Sequence, residues 1–382
     1  MKYLKAFIIL IGFLLSAAAP AFSQEALGVN YNQFLQSIQE SEISQVHATW
    51  VRGFLDMHLL GDQDPSQNLD IQAILEAKAN GRHTILNLKW NYETGPFPTP
   101  GSTAMTQEID QLNRVLPVLL GKVDILVIGN EPFIETLSSQ SGQPLIAFYQ
   151  TMANAVISYW NSNPDAARAT QLYMGAFTRL DLQQNRTASV QWMLQYIASH
   201  QELSGPDLHM HMQDFAANQL MLSYVLPWLR PDQKFLVTEF SLVLLWLQHL
   251  SDTVRPEFTS RYNLPATLQV YQFINIALHK PVPDIEWRDF LKSCPWYMAH
   301  RNFLSNAYNL FRSTGRLAVA NYGMNQYGMT QPWSQSQQFT ATTTPWLLNA
   351  IFASVTVQPA ANGSLFENFP WGGEFTKLQT VH

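Results

Sequence analysis

Two glutamates end otherwise apolar stretches of the chain, Glu131 after residues 123–129 and Glu239 within residues 234–240. A carboxyl group in that position is partly buried, which is costly unless the group is hydrogen bonded or paired. Two carboxyl groups with different surroundings can act as an acid and as a nucleophile or base. The pair therefore predicts acid–base or nucleophilic chemistry. The alternatives are salt-bridged structural carboxylates and, for Asn130-Glu131-Pro132, an ordinary turn.

Other polar side chains also lie at the ends of apolar stretches. Arg52 can hold a neighbouring carboxylate in its ionised form. His209 and His211 alternate on one side of a predicted strand, and a His-x-His pair can bind a metal. A metal-dependent barrel needs further His or Asp ligands on other strands, and the sequence offers none that can be assembled. No metal site and no cofactor are therefore predicted.

The elements that must position these residues are eight short apolar runs separated by helical patterns. Buried strands that alternate with helices indicate a parallel sheet covered on its outside, and eight repeats favour a closed (β/α)8 barrel. An open doubly wound sheet would require a Gly-rich turn after its first strand, and none is present. The predicted strands are 26–31, 48–54, 84–90, 123–129, 171–177, 207–213, 234–240 and 316–322.

The chain shows no linker that would separate a second domain, so residues 24–382 are predicted to form one domain. Residues 251–315, between the last two strands, are expected to be an inserted helical segment that overhangs the open face of the barrel. Residues 345–357 are expected to supply the closing helix. Residues 358–382 read as a C-terminal tail rich in Gly, Pro and aromatic residues.

The net charge and residues 1–23 indicate which partners the protein can have and where it is located. Acidic residues outnumber basic ones, 28 to 22, which gives a net charge of −6 and makes nucleic acid an unexpected partner. Residues 1–23 combine two lysines, an apolar run and a small-residue end, the layout of a cleaved signal peptide. We therefore expect a secreted or periplasmic protein without a membrane span in its mature form. The oligomeric state is left open.

With the elements in place, the segment Ile-Gly-Asn130-Glu131-Pro132 at strand four and Val-Thr-Glu239-Phe at strand seven resemble the clan A glycoside hydrolases. That clan is a superfamily of retaining (β/α)8 enzymes that includes the family 5 cellulases and mannanases. The resemblance implies that Glu131 is the acid/base and Glu239 the nucleophile. It also implies that Asn130 holds the 2-hydroxyl of the sugar, that Arg52 lies beneath the nucleophile, and that His211 is the strand-six histidine.

The sequence departs from the family 5 pattern at three strands. At strand six the usual His-x-Tyr is replaced by His211-Met-Gln213, so the tyrosine that touches the nucleophile is missing. At strand three Lys89-Trp90 replaces a histidine, and at strand eight Asn321-Tyr322 replaces a tryptophan. We expect Trp90 to stack on the sugar, because it ends a strand, and we expect Gln213 and Tyr322 to contact substrate.

The sequence thus predicts a secreted retaining glycoside hydrolase that cleaves β-linked glycans with two glutamates and no metal. A barrel that binds glycans without catalysis is the main alternative. The two differ in whether the polar groups around Glu239 are all present. A metal-dependent hydrolase is a third possibility, which loss of activity in chelator would reveal.

Overall fold

The computed structural model describes residues 26–324, 326, 333–334 and 336–380. The predicted signal peptide at 1–23 lies outside these residues. Eight parallel strands form a closed barrel in which each strand pairs with its neighbour along the chain and β1 pairs with β8. The (β/α)8 fold predicted from the sequence is confirmed. The strands are β1 (Ala26–Asn30), β2 (Trp50–Asp56), β3 (His83–Lys89), β4 (Ile125–Ile128), β5 (Gln171–Thr178), β6 (Leu203–His211), β7 (Phe235–Ser241) and β8 (Leu317–Gly323).

Helices cover the outside of the barrel and bury the outer faces of the strands. Several helices are capped by the side chain of the residue that precedes them. Asp214, for example, accepts a hydrogen bond from the Ala217 amide at 2.9 Å. The helices are α1 (Glu40–Gln45), α2 (Leu69–Ala79), α3 (Thr103–Leu119), α4 (Gln143–Ser162), α5 (Pro164–Ala169), α6 (Ala188–Ser199), α7 (Phe215–Val225), α8 (Val243–His249), α9 (Pro256–Arg261), α10 (Val270–His279), α11 (Asp284–Ser293), α12 (Pro295–Ala299), α13 (Phe303–Ser313) and α14 (Trp371–Thr380). No helix in the described part of the chain is long and apolar enough to cross a membrane.

The barrel interior changes character along its axis. Near the N-terminal ends of the strands it is filled by apolar side chains such as Ile85, Ile125 and Leu236, which form a cluster separate from the outer core. Toward the C-terminal ends the interior side chains are polar, although they remain buried. This polar layer contains Arg52, Asn87, Asp207, His209 and Glu239. Buried polar groups must be hydrogen bonded, so this is the layer in which a site is expected.

An irregularity in the pairing of β6 with β7 sets the position of Glu239. Leu208 pairs with Val237, but the next residue, His209, pairs with Glu239 and passes over Thr238. Thr238 is the extra residue on β7, and it changes the direction of the next side chain so that Glu239 points inward, as strand bulges near active sites do. Glu239 therefore faces the barrel interior beside His209.

One prediction about the second half of the chain needs correction. The segment 251–315 contains α9 to α13, and it packs on the C-terminal region through contacts such as Trp287 Nε1 to Asn368 Oδ1 at 3.1 Å. The closing helix is not at 345–357, where only a 3-10 turn at Trp346–Leu348 forms. It is α14, within the predicted tail 358–382, and it packs against α13. Pro345 and the apolar run that follows it are typical of a helix start, which explains the wrong prediction.

Candidate active site

A cavity of about 400 Å³ opens at the C-terminal ends of the strands. This is the end of the barrel at which (β/α)8 enzymes carry their catalytic groups. The side chains of both predicted glutamates line it. Other lining residues include Asn32, Phe54, Lys89, Glu93, Asn130, Glu135, Arg179, His211, Val243, Leu244, Thr344 and Trp346.

Glu239 is buried and held by two side chains, one at each carboxylate oxygen. Arg52, from β2, donates from Nη1 to Oε1 at 2.5 Å. The Nε2 atom of His211, from β6, lies 3.3 Å from Oε2. Burial opposes ionisation of Glu239, but the charges of His209 and Arg52 and the His211 hydrogen bond outweigh it. Together they lower its pKa well below the usual range for a glutamate.

Arg52 is itself wholly buried and fixed by three asparagines. Its Nε donates to Asn87 Oδ1 at 3.0 Å, and its Nη1 donates to Asn30 Oδ1 at 3.0 Å. Its Nη2 donates to Asn130 Oδ1 at 2.7 Å. A buried guanidinium with all three nitrogens occupied keeps a single orientation. The positive charge beside Glu239 is therefore a fixed part of the site.

Glu131 follows β4 on a sharply turned backbone. Gly129 has a φ of 104° and Glu131 a φ of 46°, both in the region that L-residues rarely occupy. A Cβ at Gly129 would lie 2.1 Å from the carbonyl oxygen of Gly175, so only glycine fits there. The Glu131 side chain is 18% exposed, and its Oε1 lies 3.0 Å from His209 Nδ1. Unlike Glu239, it has no ion pair with an arginine among the residues that the structure describes.

His209 contacts both glutamates with opposite sides of one buried ring. Its Nδ1 faces Glu131, and its Nε2 lies 3.6 Å from Glu239 Oε1. Nε2 also lies 3.0 Å from Thr238 Oγ1, and that hydroxyl donates to Asp207. Because the hydroxyl proton is used by Asp207, the network assigns a proton to Nε2 of His209. Burial disfavours the charged ring, but the two glutamates raise its pKa above the ordinary value.

The site residues expected from the sequence separate into two groups. Arg52, Asn130 and His211 meet Glu239 or line the cavity with it. Trp90 does not, because it is fully buried against Phe148 and Tyr149 and has no face to offer a sugar. Tyr322 is likewise fully buried, and it packs on Phe240. Gln213 is partly exposed and is not among the cavity-lining residues.

The expected overhang of the segment 251–315 is not seen at this cavity. No residue of that segment is among the side chains that line it. The cavity wall next to β7 is formed instead by Val243 and Leu244, just after that strand, and by Thr344 and Trp346. The inserted helices therefore contribute to the outer core rather than to the cavity wall.

Several cavity residues had not been singled out from the sequence. Trp346 lines the cavity, and its ring contacts His211 edge-on with centroids 4.6 Å apart. It lies in an irregular Thr- and Pro-rich segment, where no periodic pattern marks a residue. Glu135 is buried beside Asn130. His209, which the sequence indicates only as a possible metal ligand, contacts both glutamates.

Three donors in the site can reach one metal ion. Ligand atoms of Glu131, His209 and His211 lie within 4.8 Å of one another. The guanidinium of Arg52 stands 3.4 Å from His209 Nε2, and this fixed positive charge opposes a second cation at the same place. The arrangement fits a pair of carboxylic groups with a cationic partner better than it fits a metal centre.

No protein-family model matches this chain, and no curated protein sequence is significantly similar to it. Similar solved structures include a triple mutant of an endo-β-1,4-glucanase from Xanthomonas axonopodis pv. citri, with 15% identity, a TM-score of 0.48, and coverage of 93% of this chain and 99% of that one. A broad-specificity endoglucanase from Clostridium acetobutylicum shows 10% identity and a TM-score of 0.47, with 92% and 96% covered. A mannanase from Streptomyces sp. SirexAA-E shows 17% identity and a TM-score of 0.38, with 65% and 83% covered. At these values the likeness assigns no activity to this chain.

Proposed function

We propose that this protein is a retaining glycoside hydrolase of the clan A type that cleaves β-linked glycans. The observation that carries the proposal is the pair of glutamates at one cavity, in contact with the same histidine ring but in opposite settings. Glu239 is buried and held ionised by Arg52, as a nucleophile requires. Glu131 is more exposed, and its Oε1 lies 3.0 Å from Nδ1 of the His209 ring, at a position from which a carboxyl group can give and take a proton at the cavity.

In the first step, the Glu239 carboxylate attacks the anomeric carbon and forms a glycosyl ester. The bond to the leaving oxygen breaks, its electron pair stays on that oxygen, and Glu131 supplies the proton. Glu131 is left as a carboxylate, 3.0 Å from Nδ1 of the His209 ring, and can act as a base in the next step. The negative charge of Glu239 disappears as the ester forms, and with it one of the two charges that raise the pKa of His209.

In the second step, water attacks the ester from the side that the leaving group has vacated. Glu131 takes a proton from that water and Glu239 is released as a carboxylate. Two displacements at the same carbon retain its configuration. Arg52 and His211 then hold the returned negative charge on Glu239.

Substrate recognition is assigned to the remaining groups of the cavity. The Nδ2 atom of Asn130 faces a hydroxyl beside the anomeric carbon, because Oδ1 is taken by Arg52. Trp346 is partly exposed and lines the cavity, so its ring is the proposed stacking surface in place of Trp90. We further propose export to the periplasm or medium, where polymeric glycans are met, on the basis of residues 1–23.

The groups around Glu239 favour catalysis over glycan binding alone. His211 contacts Glu239 Oε2, so this oxygen has a polar partner although the tyrosine of the family pattern is missing. The missing tryptophan has a substitute in Trp346. Burying a carboxylate costs free energy even when it is paired with a cation. A barrel that only binds glycans does not need such a group at the centre of its cavity.

The direct test follows the hydrolysis of 4-nitrophenyl β-glycosides and of β-linked oligosaccharides by proton NMR. We expect the β-anomer of the product to appear first and then to mutarotate. The α-anomer as first product would contradict the retaining mechanism. Tight binding without hydrolysis across the panel would favour the binding barrel, and complete loss of activity in chelator would favour a metal-dependent reaction.

A further inference from the structure

Glu135 is a further carboxyl group at the wall of the cavity, and the proposed mechanism does not use it. The turn after β4 brings it there, because the amides of Ile134 and Glu135 both donate to the carbonyl of Glu131 at 3.0 Å. Its carbonyl oxygen accepts from the Tyr92 amide at 2.9 Å, which joins the turn to the loop after β3. The Glu135 side chain is therefore held at a fixed place beside Asn130.

The contacts of Glu135 form a chain of polar groups that ends at Glu239. Oε1 of Glu135 accepts from Lys89 Nζ at 2.5 Å and from Asn130 Nδ2 at 3.2 Å. The other end of the same amide, Asn130 Oδ1, accepts from Arg52 Nη2 at 2.7 Å. Arg52 in turn holds Glu239. Each end of the Asn130 amide thus has its own hydrogen-bond partner.

This double contact decides which way the Asn130 amide points. A guanidinium accepts no hydrogen bond, so the amide oxygen must face Arg52. Glu135 accepts one of the two Nδ2 hydrogens and stabilises this orientation, which leaves the second hydrogen for the cavity. Without Glu135, one side of the amide has lost its partner and the side chain can rotate away from the substrate.

We propose that Glu135 is a positioning residue for hydrolysis, which acts by fixing the side-chain amide of Asn130 toward a hydroxyl next to the anomeric carbon. The proposal rests on the function proposed above. Hydrogen bonds to that hydroxyl strengthen in the transition state of glycoside hydrolysis, so the orientation of their donor affects the rate. Burial raises the pKa of Glu135 to about 8, against the opposing charge of Lys89 and with the help of Glu131. The side chain therefore sits in the low-dielectric part of the site.

The same contacts are also compatible with a purely structural role for Glu135. The Lys89–Glu135 pair links two loops, so its removal can loosen the fold without any specific effect on Asn130. The two readings differ in one respect. A positioning role depends on the 2-hydroxyl of the substrate, whereas a structural role affects every substrate alike.

The test compares kcat/KM for the best 4-nitrophenyl β-glycoside in a panel of common sugars and for its 2-deoxy analogue. Glu135→Ala is expected to lower the value for the parent glycoside by about 10- to 100-fold, the range for loss of an outer partner that orients a functional side chain. The value for the 2-deoxy analogue is expected to change about twofold or less. Glu135→Gln, which keeps an acceptor for Asn130 Nδ2, should restore most of the loss.

If the alanine variant does not fold, Glu135→Asp replaces it in the test. The shorter side chain keeps a carboxyl group for Lys89 but no longer provides an acceptor for Asn130 Nδ2. In an Asn130→Ala background, either substitution should have no further effect on the parent glycoside. Equal losses on both substrates, or additive losses with Asn130→Ala, would overturn the positioning role and leave the proposed hydrolase intact. A wild-type protein that hydrolyses none of the glycosides would overturn both.

Discussion

The ends of β4 and β7 carry the same side chain in two different environments. Glu239, on β7, has a charged or polar partner at each oxygen and lies wholly within the barrel wall. Glu131, after β4, stands on a turn outside its strand and contacts the ring of His209 alone among the charged side chains described around it. The difference comes from the backbone, because β7 reaches past Glu239 while β4 ends three residues before Glu131.

This contrast explains how two identical groups can take different roles. A carboxylate paired with a fixed cation stays ionised and keeps its position, which suits a nucleophile. A carboxyl on a turn, next to a histidine, can gain and lose a proton during the reaction, which suits an acid/base. Substitutions of the two glutamates should therefore differ in the size and in the kind of their effect.

The largest effect is expected at β7. Glu239→Gln keeps the shape of the side chain but cannot form the glycosyl ester, so kcat should fall on the order of 10⁵- to 10⁶-fold, as for loss of other covalent nucleophiles. The loss should be the same for good and poor leaving groups. Steady-state kinetics with the fold checked by circular dichroism measures it, and activity near the wild-type level would remove Glu239 from this role.

A smaller and more selective effect is expected at β4. Glu131→Ala should reduce turnover of substrates with poor leaving groups by about 10²- to 10⁴-fold, the range for loss of a general acid. Aryl glycosides need little proton assistance, so they should be partly spared. Added azide should restore activity through a glycosyl azide product. Equal losses on both classes of substrate would exclude Glu131 as the acid.

The next substitution tests the setting of Glu239 through its pH dependence. His211→Phe removes the hydrogen bond at Oε2, one of the interactions that lower the pKa of Glu239. The nucleophile must be ionised, so a raised pKa moves the acidic limb of the kcat/KM profile to higher pH. We expect a loss of about 10- to 100-fold near neutral pH, in line with a hydrogen bond to a charged group.

His211→Tyr is the matched control, because a phenol hydroxyl can donate to the same oxygen and tyrosine is what family 5 enzymes place at the nucleophile. It should keep the acidic limb near its wild-type position. An unchanged profile in the phenylalanine variant would show that His209 and Arg52 set the ionisation of Glu239 without His211.

The smallest effect is expected at the cavity wall. Trp346→Ala should raise KM by about threefold to tenfold through loss of an aromatic contact, with kcat less affected. Trp90→Phe is the control, since Trp90 is buried away from the cavity. It should lower the melting temperature and leave KM unchanged. The reverse pattern would restore Trp90 as the sugar-stacking residue.

The barrel and its two glutamates could be predicted because both have local signals in the sequence. Each strand is a short apolar run between helical patterns, and β1 and β5 begin at the residues expected. Glu131 and Glu239 interrupt such runs, which marks them without knowledge of the fold. The α14 helix was missed because its Gly372 and Gly373 weaken the helical signal.

The remaining site residues depend on contacts that sequence alone does not specify. Alternation places His209 and His211 on one side of β6 but does not say which of them meets which glutamate. The irregular pairing of β6 with β7 decides that. Trp346 reaches the cavity from a segment without periodicity, and Glu135 does so through a turn whose hydrogen bonds appear only in the folded chain.

Trapping the glycosyl ester tests most directly whether Glu239 is the nucleophile. A panel of 2-fluoro glycosides with good leaving groups is incubated with the protein, and the labelled peptide is identified by mass spectrometry after digestion. We predict one label per chain, on Glu239, with loss of activity in step with labelling and recovery as the ester is hydrolysed. A label on Glu131 or Glu135 would contradict the account. So would active protein that hydrolyses the parent glycosides but takes up no label.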